Sequence, residues 1–358
     1  MNEYRVCACE SGIRGGWLTL NRRCNLRCKW CYTSRKLIDG GDMPLKLAQE
    51  LIDLMSTVGA RSVVLIGGEP TLYPNLIDLI EKVVEVGMRP VIISNGVRFA
   101  DRDFCSLLLE KGLKDITISM KGVSREQYIR LTNSDSFEKI CKGVDNLRAI
   151  GLEPMFEFTV AREHLVEIER VVQDLIAMGV RNLSIDLASP VIDGLNVGAA
   201  SIPNPFELRD AVHKIHACAD TSILDYVIYL TIPFCILENA VLCDLMHQDR
   251  LVSGCHISHG NALIFDEIGQ ILPCNHMTGL PIGKWGQDFK NPGEFLQYWN
   301  SHDLINFRSS CSCYPAKSCV ECDNWDKCGG GCMIKWLYWN PDDYIPKHFN
   351  HNKRKEVI

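Results

Sequence analysis

No apolar run in the chain reaches the roughly 18–20 residues that a bilayer-spanning helix needs, so no membrane partner is expected. The opening residues, MNEYRVCACE, lack the apolar core of a secretory signal, which makes the cytoplasm the expected compartment. A basic excess is also missing. Lysine and arginine number 38 against 44 acidic residues, a formal net charge of −6, which gives nucleic-acid binding no electrostatic basis. No internal repeat is evident. The rest of the composition, 46% hydrophobic and 23% charged over 358 residues, suits one large globular core with a smaller satellite domain.

Cysteine is what the chain has in excess, 18 residues or about 5%. A short exported protein would spend these on disulfides. In a long, unexported chain thiols at this density read as metal ligands or reactive groups. Three cluster at residues 24–31 and eight lie between 255 and 332, while most of the other seven are scattered.

From residue 17 to about 190, β-branched runs alternate with amphipathic stretches. Strands are predicted at 17–21, 62–66, 90–94, 115–119, 155–160 and 182–187, with helices over 44–58, 75–87, 101–112, 136–150 and 163–178. In the first helix Leu47, Leu51, Leu54, Met55 and Val58 share one face. Six β–α units in succession imply a parallel sheet, because each crossover is long enough to carry a helix. The expected fold class is α/β, a partial (β/α)6 TIM-type barrel with active residues at the C-terminal ends of its strands. Beyond the break marked by Pro190, Pro203 and Pro205, the reading is helix at 205–217, strand at 225–232 and helix at 235–247. A hairpin is expected over 262–266 and 270–273. The expected domains are an N-terminal segment 1–16, a barrel 17–200, a bridging segment 201–250, a cysteine-rich module 251–340 and a polar tail 341–358.

Cys24, Cys28 and Cys31 form C-x3-C-x2-C directly after the first strand. Three thiolates on one loop can hold three irons of a cubane cluster and leave the fourth open to a chelating substrate. Half of a zinc site is the alternative. With the aromatic Trp30 before the third cysteine, the motif resembles the radical S-adenosylmethionine superfamily. The resemblance implies a [4Fe–4S] cluster that binds S-adenosyl-L-methionine and cleaves it to a 5′-deoxyadenosyl radical. It also implies that Gly67, Gly68, Glu69 and Pro70, after the second strand, bind the methionyl amino group. Ser94, Asn95 and Gly96 then resemble the ribose-contacting turn of relatives. Ser119, ending the fourth strand, and Arg130 resemble the carboxylate clamp of peptide-modifying relatives. Lys121 departs from the Asp that relatives often carry in this turn.

The spacing Cys255-x13-Gly269-x4-Cys274, followed by Cys319-x2-Cys322-x5-Cys328-x3-Cys332, is similar to the SPASM extension, which binds auxiliary iron–sulfur clusters. The resemblance implies one or two such clusters, with Cys255, Cys274 and Cys332 at the nearer and Cys319, Cys322 and Cys328 at the farther. The seventh cysteine of the pattern is missing, since residues 333–358 contain none. Cys313 or Cys311 is the favoured replacement at the farther cluster; Cys243, His256, His259 or substrate are candidates at the nearer. A structural zinc site over 311–332 is the competing reading.

Cys7, Cys9 and Cys235 are hydrogen-donor candidates, with a small buried role as the alternative. Cys105, Cys141 and Cys218 read as core, His213 and His216 as solvated or capping. Trp325, Trp336, Tyr338 and Trp339 are expected around the auxiliary clusters. The resemblance implies an oxidoreductase of the peptide-modifying kind, acting on a peptide or protein substrate with a flavodoxin- or ferredoxin-type electron donor. Ribosomal-peptide maturation by thioether or carbon–carbon crosslinking, or epimerisation, leads the expectations. Small-molecule dehydrogenation is an alternative. A formylglycine maturase fits less well, because Asn275 stands where those relatives carry a presumed Asp base. A non-catalytic zinc module is the reading from another class. With about sixteen residues ahead of the first strand, leader recognition is expected to use a separate protein, the barrel surface or no leader.

Overall fold

The computed structural model describes residues 12–33, 41–193, 196–198, 201–219, 224–311 and 314–347. Cys7, Cys9 and Cys313 lie outside them. Six strands run parallel and adjacent in chain order: β1 (Gly15–Thr19), β2 (Ser62–Ile66), β3 (Arg89–Ser94), β4 (Asp115–Met120), β5 (Met155–Val160) and β6 (Asn182–Leu187). The crossovers carry α1 (Leu45–Thr57), α2 (Leu76–Glu85), α3 (Arg102–Glu110), α4 (Arg125–Thr132), α5 (Phe137–Ala149) and α6 (Ile168–Ala177). Local chemistry starts two of these helices. The Asp101 carboxylate accepts from the amides of Asp103 and Phe104, and Ser124 caps the amide of Gln127. Their apolar stripes then bury against the sheet, as Leu51, Leu54 and Met55 do on α1. The structure is the expected α/β partial barrel.

The sheet does not stop at six strands. A short hairpin, β7 (Val191–Asp193) and β8 (Asn196–Gly198), leads to α7 (Pro205–Ala219) and β9 (Asp225–Tyr229), which pairs parallel with β6. Next come α8 (Asn239–His247), β10 (Leu251–Val252) beside β9, and a single turn, α9 (His256–His259). The chain then crosses to the opposite edge, where β11 (Ala262–Phe265) pairs parallel with β1, from Gly15↔Ala262 to Leu18↔Phe265. β12 (Gln270–Ile271) folds back antiparallel on β11, and β13 (Gly283–Lys284) on β12. The 262–273 hairpin therefore forms, and its first strand also extends the barrel sheet. Leu263 and Phe265 are fully buried there, which supplies the apolar cover that β1's outer edge requires. One hydrophobic core contains residues from Ile13 through Leu304, and Cys328.

The last part holds α10 (Pro292–Trp299), α11 (His302–Ser310), α12 (Trp325–Cys328) and α13 (Met333–Trp336). Among the described residues no helix is long and apolar enough to cross a membrane. The two faces of the barrel strands differ. Phe156, Phe158, Leu183, Ile185, Tyr226 and Ile228 are buried on the outer face. Alternate positions, Glu157, Thr159, Ser184 and Asp186, are half-buried on the inner face.

Candidate active site

The loop after β1 carries Cys24, Cys28 and Cys31, all half-buried. It is laid against the C-terminal end of α4 by two backbone bonds, Arg27 N to Thr132 O (2.8 Å) and Lys29 N to Leu131 O (3.1 Å). The three thiols lie close enough to affect one another's ionisation. Burial pushes Cys24 up to about 11 and Cys28 up to about 12, while the Lys121 ammonium pulls both back. Ligation by iron would expel those protons and couple metal uptake to the loop's order. The Leu26 amide already donates to Cys24 Sγ (3.4 Å). Three such sulfurs on one anchored loop fit a cubane that keeps one iron free of protein.

Gly67 and Gly68 are required by the approach of the β1 exit. A Cβ on Gly67 would stand 2.7 Å from Asn21 Oδ1, and one on Gly68 only 2.4 Å from the Arg23 carbonyl oxygen. In their place run the bonds Gly68 N to Asn21 O (2.9 Å) and Glu69 N to Arg23 O (2.7 Å). Glu69 is buried, and its carboxylate already accepts four hydrogen bonds. They come from Thr71 N (3.0 Å), Thr71 Oγ1 (2.7 Å), Ser94 Oγ (2.8 Å) and Asn95 N (2.8 Å). Burial raises its pKa and the four donors pull it back. Pro70 opens the short 3-10 turn that Glu69 caps. The carboxylate thus joins the ends of β2 and β3. Asn95 extends the connection to the cysteine loop, donating to Asn25 Oδ1 (2.7 Å), and Gly96 turns the chain at φ 83°.

Ser119 and Arg130 have separate partners. Ser119 Oγ donates to Glu157 Oε1 (2.9 Å) and accepts from the Lys121 ammonium. The half-exposed Arg130 pairs with Glu167 (2.7 Å).

Six of the remaining cysteines form two groups. Cys255, Cys274 and Cys332 interact electrostatically and pack against Ile257, Met277 and Ile334. Cys319, Cys322 and Cys328 form the second group. Cys311 is buried in the packing cluster of the first group, contrary to its expected place at the farther site. The cause is the seating of α11 on α9, where a Cβ on Gly260 would meet the Arg308 side chain at 3.1 Å. Cys235, expected as a hydrogen donor, has Cys328, Cys319 and Cys322 as its electrostatic neighbours. Cys243 lies on α8, His256 bonds to Asn261 and His259 to the Cys255 carbonyl. Among the described residues no three His, Cys, Asp or Glu side chains converge on a single ion.

Other expectations resolve simply. Cys105 is buried core, and Cys141 and Cys218 are half-buried. His216 is buried between Tyr226 Oη (2.6 Å) and Asp244 (2.9 Å), so it is not solvated. Trp325 and Trp336 lie in the farther region, Trp336 donating to Gly330 O, while Trp339 packs with Trp30 against Ala161 and Ala188.

The Radical SAM superfamily model matches residues 18–175. This chain carries a radical SAM domain. Among curated relatives, Fe-coproporphyrin III synthase of Methanosarcina barkeri is 29% identical over 153 residues, 42% of this chain and 38% of that protein. A protein of Saccharolobus solfataricus named probable GTP 3′,8-cyclase is 31% identical over 180 residues, 49% of this chain and 56% of that one. The matched part thus spans about half the length of these relatives. Two solved structures resemble nearly the whole chain in fold. Streptococcus suis SuiB bound to precursor peptide SuiA gives a TM-score of 0.70 at 16% identity, covering 96% of this chain and 78% of SuiB. The structure of native anSMEcpe with bound AdoMet gives 0.67 at 16%, covering 96% and 95%.

The inner face of the radical SAM domain also holds groups that motif reading passed over. Glu157 on β5 and Asp186 on β6 face the same side, near Ser119 and Lys121. Burial, then the neighbouring Glu157, raises Asp186 to about 7, against the pull of Lys121. The signal was in the alternation of F-E-F-T-V and L-S-I-D-L. Parallel strands covered on both faces read as continuous apolar runs, so alternation within a β–α unit marks a polar cavity wall. Because folding raises the Asp186 pKa, the folded chain holds a proton that the unfolded chain loses between pH 4 and 7. The stability contributed by the protonated form therefore falls across that window. Asp186→Asn should be more stable than the parent at pH 8, with a smaller gain at pH 5. Urea unfolding at both values checks this; an equal gain at both would refute it.

Three further side chains lie beside the sulfur sets. The Tyr32 ring, next to Cys31, sits 5.4 Å from that of His276, two residues after Cys274. Lys335 is fully buried, donates to the Ala188 carbonyl (2.7 Å) and lies near Cys332; burial lowers it to about 8.

Proposed function

We propose that this chain is a radical SAM maturase that removes hydrogen from a peptide or protein substrate. The coverage of the fold likeness carries this reading. Sequence matches to the coproporphyrin synthase and the cyclase cover only 42–49% of the chain. The likeness to SuiB with its precursor peptide covers 96%, the cysteine-rich module included. A structure of anSMEcpe with AdoMet and the Cp18Cys peptide covers the same share. The region that would meet substrate therefore follows the architecture of two peptide-bound proteins.

When bound, a [4Fe–4S] cluster with S-adenosyl-L-methionine supplies a hydrogen-abstracting carbon radical. The chain's own residues hold and shape that site. Cys24, Cys28 and Cys31 supply the thiolates, and Glu69 fixes the β3 turn that faces the nucleotide. Ser119 and Arg130 would clamp the methionyl carboxylate once Arg130 exchanges Glu167 for it. Asp186, with its pKa near neutrality, is suited to hold a proton on the substrate side. A flavodoxin or ferredoxin supplies the electron.

The test is an anaerobic assay of reconstituted protein with peptides encoded beside its gene. Formation of 5′-deoxyadenosine with peptide mass loss of two hydrogens supports crosslinking, and solvent deuterium gain supports epimerisation. Nucleoside formed with small alcohols while every peptide stays unchanged would overturn the peptide assignment.

A further inference from the structure

The farther sulfur group surrounds a narrow, partly open cavity. Cys319, Cys322 and Cys328 line it, and so does a fourth cysteine, Cys235. We infer that Cys235 is the fourth protein ligand of the farther iron–sulfur site. This rests on the reading that the C-terminal module holds auxiliary clusters.

Cys235 belongs to a different part of the chain, a 3-10 turn, Phe234–Ile236, between β9 and α8. Two bonds fix this turn to the cysteine-rich segment. The Phe234 amide donates to Cys328 Sγ (3.3 Å), and the Cys332 amide donates to the Thr231 carbonyl (2.9 Å). The run Gly329–Gly331 makes the fit possible. All three glycines have positive φ, and a Cβ on Gly331 would stand 2.8 Å from Thr231 O. Apart from its sulfurs the cavity is walled by apolar surface such as Pro233, Phe234 and Trp325, which keeps solvent from bound sulfide. The Phe234 amide would stay bonded to a ligating sulfur, one of the ways a protein tunes a cluster's potential.

The competing ligands fare worse. Cys311 packs in the cluster that receives Cys255, Cys274 and Cys332. Cys313 is the remaining rival, so the experiment includes it. A site closed by Cys235 would clamp the barrel sheet to the module through metal, since ligation joins the strand β9 region to α12.

The experiment starts from full-length protein with Cys24→Ala, Cys28→Ala and Cys31→Ala together, so that only auxiliary sites load. After anaerobic reconstitution this parent should bind about eight irons with matching sulfide, as two cubanes. Adding Cys319→Ala or Cys235→Ala should remove between about one and four irons, whereas Cys313→Ser should remove none. Cys235→Ser should keep the iron but alter the spectrum of the dithionite-reduced cluster in electron paramagnetic resonance. As a readout free of folding defects, iodoacetamide should label Cys235 in chelator-stripped wild type and leave it protected in the loaded protein. Iron content and spectrum unchanged by Cys235→Ala, or equal labelling in both forms, would overturn the assignment while the auxiliary clusters stand. A parent that binds no iron, or only zinc without sulfide, would instead remove the auxiliary-cluster reading and this inference with it.

Discussion

Alanine at Cys24, Cys28 and Cys31 together will abolish reductive formation of 5′-deoxyadenosine while leaving roughly two thirds of the reconstituted iron in place, if three cubanes load the wild type. The expectation follows from the separation of the sulfur sets. The first loop hangs from β1 and rests on the end of α4 through backbone bonds that no cysteine side chain makes. The other sets are built on the segments from 231 to 235 and 255 to 332, so their ligands survive the change. Small buried thiols become small apolar groups, which a loop held by its backbone tolerates. Iron analysis and chromatographic detection of the nucleoside after dithionite treatment are sufficient. Nucleoside at the wild-type rate from the triple variant would remove this loop from the chemistry.

Glu69→Ala should be the most damaging single change at the nucleotide site. It leaves the Thr71 amide and hydroxyl, the Ser94 hydroxyl and the Asn95 amide without their acceptor. A buried donor deprived of its partner costs about 1–3 kcal/mol, and water entering the space recovers part of the total. A net loss of about 3–5 kcal/mol is expected by urea unfolding. The Ser94–Asn95–Gly96 turn loses its anchor in the same step, so affinity for S-adenosyl-L-methionine should fall by about 10–100-fold, equivalent to about 1.4–2.7 kcal/mol. Glu69→Gln separates charge from shape. Its carbonyl oxygen can still serve Thr71 and Ser94, but its amide nitrogen then faces the Asn95 amide, another donor. An intermediate loss is the expected result. Equal behaviour of Ala, Gln and wild type in calorimetric titration would show that this carboxylate does not shape the site.

Much of this was legible from local pattern. Strand–helix alternation located six parallel strands to within about two residues, because each helix carries its own stripe and each strand its own β-branched run. The C-x3-C-x2-C loop, GGEP and SNG fell at successive strand ends because a β–α barrel places them there. What could not be read is pairing across long separations. Ala-Leu-Ile-Phe at 262–265 reads as half of a hairpin, and nothing local says that its other edge meets β1. Cys235 on its short turn looks no different from Cys105, a buried core thiol whose sulfur donates to Phe99 O. Only the folded chain puts one against three other sulfurs and the other against a backbone carbonyl. Glu157 and Asp186 stand in plain view, but a β-branched run marks only a strand and not the kind of wall that strand builds.

The place of β11 limits how such a chain can be rebuilt. Its partner β1 leads into the first cysteine loop, and the buried Arg22 just beyond β1 pairs with Glu267 in the β11–β12 turn at 2.6 Å. Deleting everything after residue 254 would therefore not yield a free-standing catalytic half. It would bare the ladder of the strand that positions the first cysteines and take from the Arg22 guanidinium its carboxylate partner, inviting self-templated stacking between copies. Swapping C-terminal cassettes between such proteins should succeed only when the incoming piece brings its own replacement for that strand.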